Sequence, residues 1–295
     1  MRRLKSIAVV GVGLIGGSFA MAMRRAGLTA SVVGYDRDPG ALQRAAELGV
    51  IDSAADSVSD AVRGCELVMV AVPVRAIGRV LHDVSLALDE DAVVTDAGST
   101  KGEVVRVARG ELRERFPRFV PGHPIAGRET SGVDSANVDL FRGARVVLTP
   151  EAETAPQAVA LVRSLWEAMG ARVSTASADA HDRIFAAVSH LPHLLSFALV
   201  NEIASRDDSA ELLDFAAGGF RDFTRIAASS PEMWRDIVLQ NRDALLAELD
   251  RYGTRLAVFR ELIEKGEGAG LERLMTEARA TRLSLGAGRR GPGHE

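Results

Sequence analysis

The sequence contains little cysteine, little lysine and no long apolar run. Its single cysteine, Cys65, cannot form an internal disulfide and cannot supply a cysteine-based zinc site. The longest purely apolar runs, residues 7–10 and 67–72, have the length of buried strands, whereas a membrane span needs about 18 residues. The N-terminal segment also lacks an A-x-A cleavage site. We therefore expect no signal peptide, no membrane association and a cytoplasmic location.

The composition is that of a folded globular protein. Hydrophobic residues make up 47% and charged residues 26% of the 295 residues, which excludes a disordered or fibrous chain. The formal net charge is −4, and the only basic tract that stands out is Arg289-Arg290, so we expect no nucleic-acid partner. At about 100–200 residues per domain, the length predicts one large domain or two medium ones.

The first 175 residues alternate between strand and helix patterns. Strands are predicted at 7–10, 31–35, 66–72, 91–95, 118–121, 144–148 and 171–175, and helices at 14–25, 39–48 and 155–169. Strands separated by helices imply βαβ units and a mostly parallel sheet, so the fold class is α/β.

The pattern becomes helical after about residue 177. Apolar positions recur at three- and four-residue spacing through 236–246 and 256–263, and Ser230-Pro231 is typical of a helix start. The last ten residues are rich in glycine and charge. The sequence thus predicts domains at 1–175 and 176–285 and a disordered tail at 286–295.

A glycine motif lies between the first strand and the first helix. Gly11, Gly13 and Gly16 match G-x-G-x-x-G, and Asp36 ends the next strand twenty positions later. This combination is the dinucleotide-binding fingerprint, in which the helix N-terminus holds the pyrophosphate. Asp36 would accept hydrogen bonds from the ribose hydroxyls and repel a 2′-phosphate, which favours NAD, whereas the adjacent Arg37 leaves NADP open.

A further strand end, Val72-Pro73, is expected on the adenine and ribose side of such a site, although a plain strand terminator explains it equally well. The predicted cofactor-binding residues are Gly11, Gly13, Leu14, Ile15, Gly16, Asp36, Arg37, Val72 and Pro73.

Two polar segments follow later strands. Because ligands bind at the carboxyl ends of the strands of an open sheet, we expect Ser99 and Lys101 at the nicotinamide end. The same segment also reads as a helix start, with Ser99 or Thr100 as the cap and Glu103 completing a capping box. The two interpretations are compatible.

His123 lies between a glycine and a proline at a predicted strand end, away from any periodic apolar face. A histidine with a pKa near 6.5 is largely neutral at pH 7 and can take a proton from a hydroxyl as a hydride leaves. We interpret His123 as a catalytic base.

Five segments of the chain resemble the prephenate/arogenate dehydrogenase family. They are residues 11–17, 96–102, 123–127, 189–193 and 218–227. The resemblance implies an N-terminal Rossmann-type dinucleotide-binding domain, followed by an all-helical C-terminal domain that binds substrate and forms a homodimer. It also implies NAD-dependent oxidative decarboxylation of prephenate, or of its amino analogue arogenate, in tyrosine biosynthesis.

The resemblance also implies roles for individual residues. His123 would deprotonate the ring hydroxyl, and Ser99 would orient it. The predicted substrate-binding residues are Arg225, which would hold a carboxylate, His193, which would line the pocket, and Ser131. Arg128 lies in a stretch associated with substrate choice.

The sequence also allows other interpretations of the site, the class of protein and the substrate. His190 and His193 share a spacing that a metal could use, but Pro192 lies between them and no third ligand is evident, so no metal is expected. A β-hydroxyacid or imine reductase is disfavoured, because the hydroxyacid enzymes are expected to use a lysine and none occurs between Lys101 and Lys265. A non-catalytic NAD-binding regulator is a more remote reading, and arogenate or an amino-substituted prephenate analogue is the main alternative substrate.

Overall fold

A six-stranded parallel sheet forms the centre of the N-terminal part of the chain. The computed structural model describes residues 2–127 and 130–287. The strands are β1 (Leu4–Val10), β2 (Thr29–Tyr35), β3 (Ser53–Ala54), β4 (Leu67–Val70), β5 (Val93–Asp96) and β6 (Phe119–Val120). Their order, β3-β2-β1-β4-β5-β6, is that of a dinucleotide-binding sheet. The predicted α/β class and parallel sheet are confirmed.

Helices connect these strands. They are α1 (Leu14–Arg25), α2 (Pro39–Glu47), α3 (Val58–Val62), α4 (Ile77–Ser85) and α5 (Gly102–Leu112). Asp38 caps α2 through the Gly40 amide, with Pro39 at the first position, as the sequence indicates. The short β3 and α3, and the helix α4, were not predicted from the sequence.

The sheet separates two hydrophobic cores. Because successive side chains of a strand point to opposite faces, Ile7 and Val9 of β1 pack in the core that contains Trp166, whereas Ala8 and Val10 pack in the other. Burial on both faces explains why the strands read as continuous apolar runs.

A second, three-stranded sheet follows the first. It consists of β7 (Gly122–Ile125), β8 (Arg145–Leu148) and β9 (Arg172–Thr175), with α6 (Pro156–Ala168) between the last two. β7 pairs with β8 antiparallel, and β8 with β9 parallel. The sequence predicted β8 and β9 but not their separate sheet. It also placed His123 after a strand, whereas His123 lies within β7 and faces Val147 of β8 in the register.

Helices make up the remainder of the first compact unit, which extends to Leu245. They are α7 (Ala178–Phe185), α8 (Leu191–Ala204), α9 (Ser209–Asp214), α10 (Gly218–Thr224) and α11 (Pro231–Gln240), with a π-helical turn at Ala186–His190 and a 3-10 turn at Arg225–Ala228. Ser230 caps α11 through the Met233 amide, as its sequence indicates. The periodic pattern through 236–246 is interrupted, because α11 ends at Gln240.

The second unit begins at Leu246, and its described part consists of helix interrupted by a short turn at 265–267. Helix α12 (Arg242–Glu264) starts in the first unit, and α13 (Gly268–Ala287) follows. Helix α13 includes Gly286 and Ala287, the first two residues of the predicted tail, and residues 288–295 lie outside the described residues. The domain boundary expected near residue 175 stays a prediction.

One helical stretch in the described part of the chain, Ala178–Ala204, is long and apolar enough to cross a membrane, and 22% of its most apolar window is buried. Its buried residues include His181, Asp182 and His190. Because titratable groups are costly inside a bilayer, we assign this stretch to packing within protein.

A fully buried ion pair joins the carboxyl end of β5 to the start of β7. Lys101 Nζ contacts the Asp96 carboxylate, and neither side chain is exposed. Lys101 Nζ also donates to the Gly122 carbonyl at 2.7 Å, and the Gly122 amide donates to Asp96 Oδ1 at 3.0 Å. Lys101 therefore lies inside the protein, and the expectation that it faces the nicotinamide was wrong.

Replacement of Lys101 by methionine should destabilise the folded state by about 3–5 kcal/mol, because it leaves the buried Asp96 charge without its partner. Urea unfolding followed by circular dichroism measures this change. Lys265→Met is the matched control, since Lys265 pairs with Glu261 on the surface. Equal unfolding midpoints for the two variants would show that the buried pair contributes little.

Candidate active site

The glycine motif forms a tight turn with one open side. Gly11 has a φ of +93°, and a Cβ there would lie 2.5 Å from the Ala71 carbonyl oxygen. A Cβ on Gly16 would lie 1.9 Å from the Gly11 carbonyl oxygen. At Gly13, by contrast, no atom of the described residues lies within 4 Å of such a Cβ, and no side chain among them caps α1. The open space before free helix amides fits a pyrophosphate.

Asp36 is fixed beside this turn. Its Oδ2 accepts from the Val12 amide and its Oδ1 from the Asp38 amide, both at 3.0 Å. The carboxylate thus lies at the carboxyl end of β2, where the ribose of a bound dinucleotide is expected. Arg37 next to it is exposed.

The other predicted cofactor residues surround the same turn. Val72 Cγ1 would lie 3.0 Å from a Cβ on Gly11, so the loop after β4 passes directly by the motif. Strand β4 ends at Val70, which places Val72 and Pro73 in that loop rather than in the strand. Leu14 and Ile15, both half-buried, form the first turn of α1.

His123 lies in a buried environment made by β7 and α7. Its Nδ1 is 2.8 Å from His181 Nε2, and its ring centroid lies 4.9 Å from that of Phe185. Burial lowers the pKa of His123 well below its usual value, and the nearby His181 and Lys101 lower it further. The imidazole is therefore neutral at pH 7, as a general base must be.

His181 and Asp182, which the sequence did not single out, extend this arrangement. His181 Nδ1 lies 2.8 Å from Asp182 Oδ1. Asp182 also accepts from the backbone amides of Lys101 and Gly102, each at 2.8 Å. The only sequence signal was a His-Asp dipeptide in the first turns of a helix, a position that is usually solvated.

Asp182 therefore caps α5, and the expected capping box is absent there. Helix α5 begins at Gly102, and no side chain from its own segment caps it. Thr100 Oγ1 instead donates to Gln240 Oε1 at 2.6 Å, and Glu103 pairs with Arg106. Sequence patterns cannot reveal this arrangement, because the capping carboxylate comes from a helix some 80 residues away.

Ser99 lies half-buried in the loop between β5 and α5. Among the described residues, no hydrogen bond joins its hydroxyl to His123. Its orienting role therefore stays a prediction.

A second group of predicted residues gathers around Trp234. The His193 ring stacks on the Trp234 ring with centroids 3.7 Å apart, and its Nδ1 donates to the Ser189 carbonyl at 2.8 Å. Burial lowers the pKa of His193, and the positive charge of Arg225 lowers it further. The charge of Arg225 is therefore close enough to affect the His193 ring. Arg225 is exposed and opens the 3-10 turn after α10.

Ser131 is exposed, and its backbone carbonyl accepts from the Ser135 hydroxyl at 3.1 Å. The structure thus does not bring the Ser131 side chain into either group of site residues. Arg128 lies outside the described residues.

His190 is buried and hydrogen-bonded within the protein. Its Nδ1 accepts from Asn241 Nδ2 at 3.0 Å, and the same amide donates to the Asp182 carbonyl at 2.8 Å. Among the residues that the structure describes, no group of three or more histidine, cysteine or acidic side chains could hold a metal ion.

The fold and the glycine turn define a class of protein, the α/β proteins that bind a dinucleotide. Comparison with known proteins then identifies the family. Residues 19–175 match the nucleotide-binding domain of prephenate dehydrogenase, and residues 177–277 match the prephenate dehydrogenase dimerization domain. The chain belongs to the prephenate dehydrogenase family, an NAD-dependent oxidoreductase family, and the predicted NAD cofactor is confirmed.

Three known proteins illustrate this similarity. Cyclohexadienyl dehydrogenase from Zymomonas mobilis is 37% identical over 97% of this chain and 97% of its own. The structure of prephenate dehydrogenase from Aquifex aeolicus in complex with hydroxyphenyl propionate and NAD+ is 38% identical, with a TM-score of 0.90 over 96% of this chain and 99% of that chain. Synechocystis arogenate dehydrogenase is 31% identical, with a TM-score of 0.81 over 95% of this chain and 99% of that chain.

Replacement of Asp36 by asparagine should weaken NAD+ binding by about tenfold or more, because an acceptor for charged hydrogen bonds is lost. Discrimination against NADP+ should fall as well, because the repulsion of a 2′-phosphate is removed. Initial rates with each cofactor measure both effects. Asp38→Asn is the matched control, since asparagine is an equally good helix cap. An unchanged ratio of the two cofactors in the Asp36 variant would exclude the assigned role.

His190 should make the protein less stable as the pH falls. Burial lowers the pKa of His190 from 6.5 to about 4, so between these values the unfolded chain binds more protons than the folded one. Stability therefore falls as the pH drops through this window, by up to about 3 kcal/mol from this residue.

Thermal unfolding between pH 7 and pH 4 measures this effect. His190→Gln should flatten the dependence of the melting temperature on pH, whatever its effect on stability at pH 7. His82→Gln, on the exposed side of α4, controls for the loss of a histidine. Parallel curves for wild type and the His190 variant would contradict the expectation.

Proposed function

We propose that this chain catalyses the NAD-dependent oxidative decarboxylation of prephenate to 4-hydroxyphenylpyruvate in tyrosine biosynthesis. The observation that carries the proposal is His123, a half-buried and neutral histidine on the strand that follows the dinucleotide-binding sheet. The Aquifex aeolicus relative is bound to hydroxyphenyl propionate and NAD+. A hydroxyphenyl acid has the form of the aromatic product, so the similarity of this chain to that relative supports the same chemistry.

The chain's own residues bind and orient the reactants. The turn at Gly13 and the first amides of α1 would hold the pyrophosphate, and the Asp36 carboxylate, which the Val12 amide fixes, would accept from the ribose hydroxyls. When bound, NAD+ supplies the acceptor for the hydride that leaves the carbinol carbon of the ring. His123 takes the hydroxyl proton at the same stage.

Loss of the ring carboxylate completes the reaction. The bond between the ring and the carboxylate breaks, CO2 departs, and the released electron pair makes the ring aromatic. The phenolate oxygen then recovers the proton from His123, so the base is regenerated. No step requires a metal ion to balance charge or electrons.

Positive charge near the pocket supports binding of a dianionic substrate. The chain carries a net charge of −4, so cations must be concentrated locally. Arg225 lowers the pKa of the neighbouring His193, which indicates that its charge acts on this region. We propose that Arg225 grips a substrate carboxylate, that His193 lines the pocket and that Ser99 orients the ring hydroxyl.

Arogenate is the second candidate substrate. The observation that favours it is the similarity to Synechocystis arogenate dehydrogenase over nearly the whole chain. The two substrates differ only in an oxo or amino group on the side chain, and a small local change in the pocket would discriminate between them.

We also propose a cytoplasmic homodimer formed through the helical part of the chain. The match to a dimerization domain supports this assembly. In the single chain, large apolar side chains of α12 and α13 are exposed, among them Leu256 at 51%, Ile263 at 65% and Met275 at 57%. Exposed apolar surface of this kind is typical of an interface.

Replacement of His123 by asparagine should lower kcat by about 10²-fold or more, because the proton acceptor is lost while the shape of the site is kept. The measurement is NADH formation with prephenate and with arogenate, each with NAD+ and NADP+. His82→Asn serves as the control. Absence of wild-type turnover with both substrates would exclude the proposed reaction, and an active His123 variant would exclude the base.

A further inference from the structure

The carboxylate of Asp182 is ionised and can only accept hydrogen bonds. Burial opposes its ionisation, but the hydrogen bonds from His181 and from the Gly102 and Lys101 amides outweigh burial and hold the pKa of Asp182 below its usual value. Its Oδ1 faces His181 Nδ1 at 2.8 Å. His181 Nδ1 must therefore carry a proton and donate it to Asp182.

The tautomer of His181 then determines that of His123. A neutral His181 with a proton on Nδ1 has a lone pair on Nε2, and this Nε2 lies 2.8 Å from His123 Nδ1. His123 Nδ1 must carry the proton of that hydrogen bond. A neutral His123 is consequently unprotonated at Nε2, the nitrogen on the other side of the ring.

We propose that His181 and Asp182 are positioning residues, which fix His123 in the tautomer whose Nε2 is free to accept the substrate proton. The proposal rests on the proposed role of His123 as the base. A buried partner that hydrogen-bonds one nitrogen of a histidine fixes the tautomer and the orientation of the ring. Here the partner is a second histidine, and the carboxylate is one residue further from the reacting atoms.

The charges around the pair favour this arrangement. Lys101 lowers the pKa of both His123 and His181, and His190 lowers the pKa of His123, so these charges favour two neutral imidazoles. Asp96 neutralises Lys101, and Asp182 is the carboxylate in contact with the pair. If His123 alone changed tautomer, two lone pairs would face each other at 2.8 Å. If both rings changed tautomer, Asp182 would lose the hydrogen bond from His181. Either change would cost the free energy of a buried hydrogen bond.

Asp182 also couples the base to the loop after β5. Its two oxygens accept from Lys101 and Gly102, two and three positions after Ser99 in the chain, while one of them also accepts from His181 on α7. One carboxylate thus sets the orientation of the histidine pair and the position of the loop that carries Ser99.

The tautomer can be measured in the unmodified protein. The chain has six histidines, so a long-range proton–nitrogen spectrum of protein labelled with 15N-histidine resolves each ring, and His123→Asn assigns the signal. The proposal predicts a His123 ring protonated at Nδ1 and bare at Nε2 near pH 7. A His123 ring protonated at Nε2 would overturn it. The spectrum needs no substrate, so it is independent of whether prephenate is turned over.

Variants test the consequence for catalysis. Asp182→Asn should turn an amide NH2 toward one of the three donors and disturb the tautomers, lowering kcat by about 10²-fold or more with a smaller change in KM. Asp236→Asn, which alters a buried carboxylate that contacts Arg235, should leave the His123 signal as in wild type.

A pair of substitutions at His181 separates positioning from packing. In His181→Gln, the amide oxygen can accept from His123 Nδ1 while its NH2 donates to Asp182, so kcat should be largely retained. His181→Leu fills the space without either hydrogen bond, and its kcat should fall. Equal losses in the two variants would overturn the proposal. Normal NAD+ binding in each variant shows that the sheet and its glycine turn are intact.

Discussion

The buried pair of Lys101 and Asp96 is the interaction on which the geometry of the site depends. With neither side chain exposed, the two charges are stable only because backbone groups complete their hydrogen bonding. Gly122 supplies both an amide to Asp96 and a carbonyl to Lys101, so the start of β7 is fixed to the end of β5. Because His123 is the next residue, the same pair positions the base relative to the dinucleotide-binding sheet.

The dinucleotide site and the surroundings of His123 are built from different groups. Backbone shape holds the dinucleotide, through the turn at Gly11 and Gly13 and the two hydrogen bonds that fix Asp36. Side chains of a helical segment, His181 and Phe185 of α7, contact His123. A shared dinucleotide-binding sheet can serve dehydrogenases that act on different substrates.

The sequence predicted the parts of the site that depend on local patterns. The glycine motif and Asp36 directly follow the ends of β1 and β2, whereas His123, expected at a strand end, lies within β7. It did not predict the second sheet, because β7 is four residues long and contains both glycine and proline. It misplaced Lys101 and missed Asp182, since a buried ion pair and a distant helix cap arise only from tertiary contacts.

We propose that proton removal by His123, hydride transfer and loss of CO2 form one reaction. The most direct test is the molar ratio of CO2 to NADH produced from prephenate and NAD+ by the wild-type protein. We expect one CO2 for every NADH throughout the time course. NADH formed without CO2 would contradict it, because the chain would then be a simple alcohol dehydrogenase.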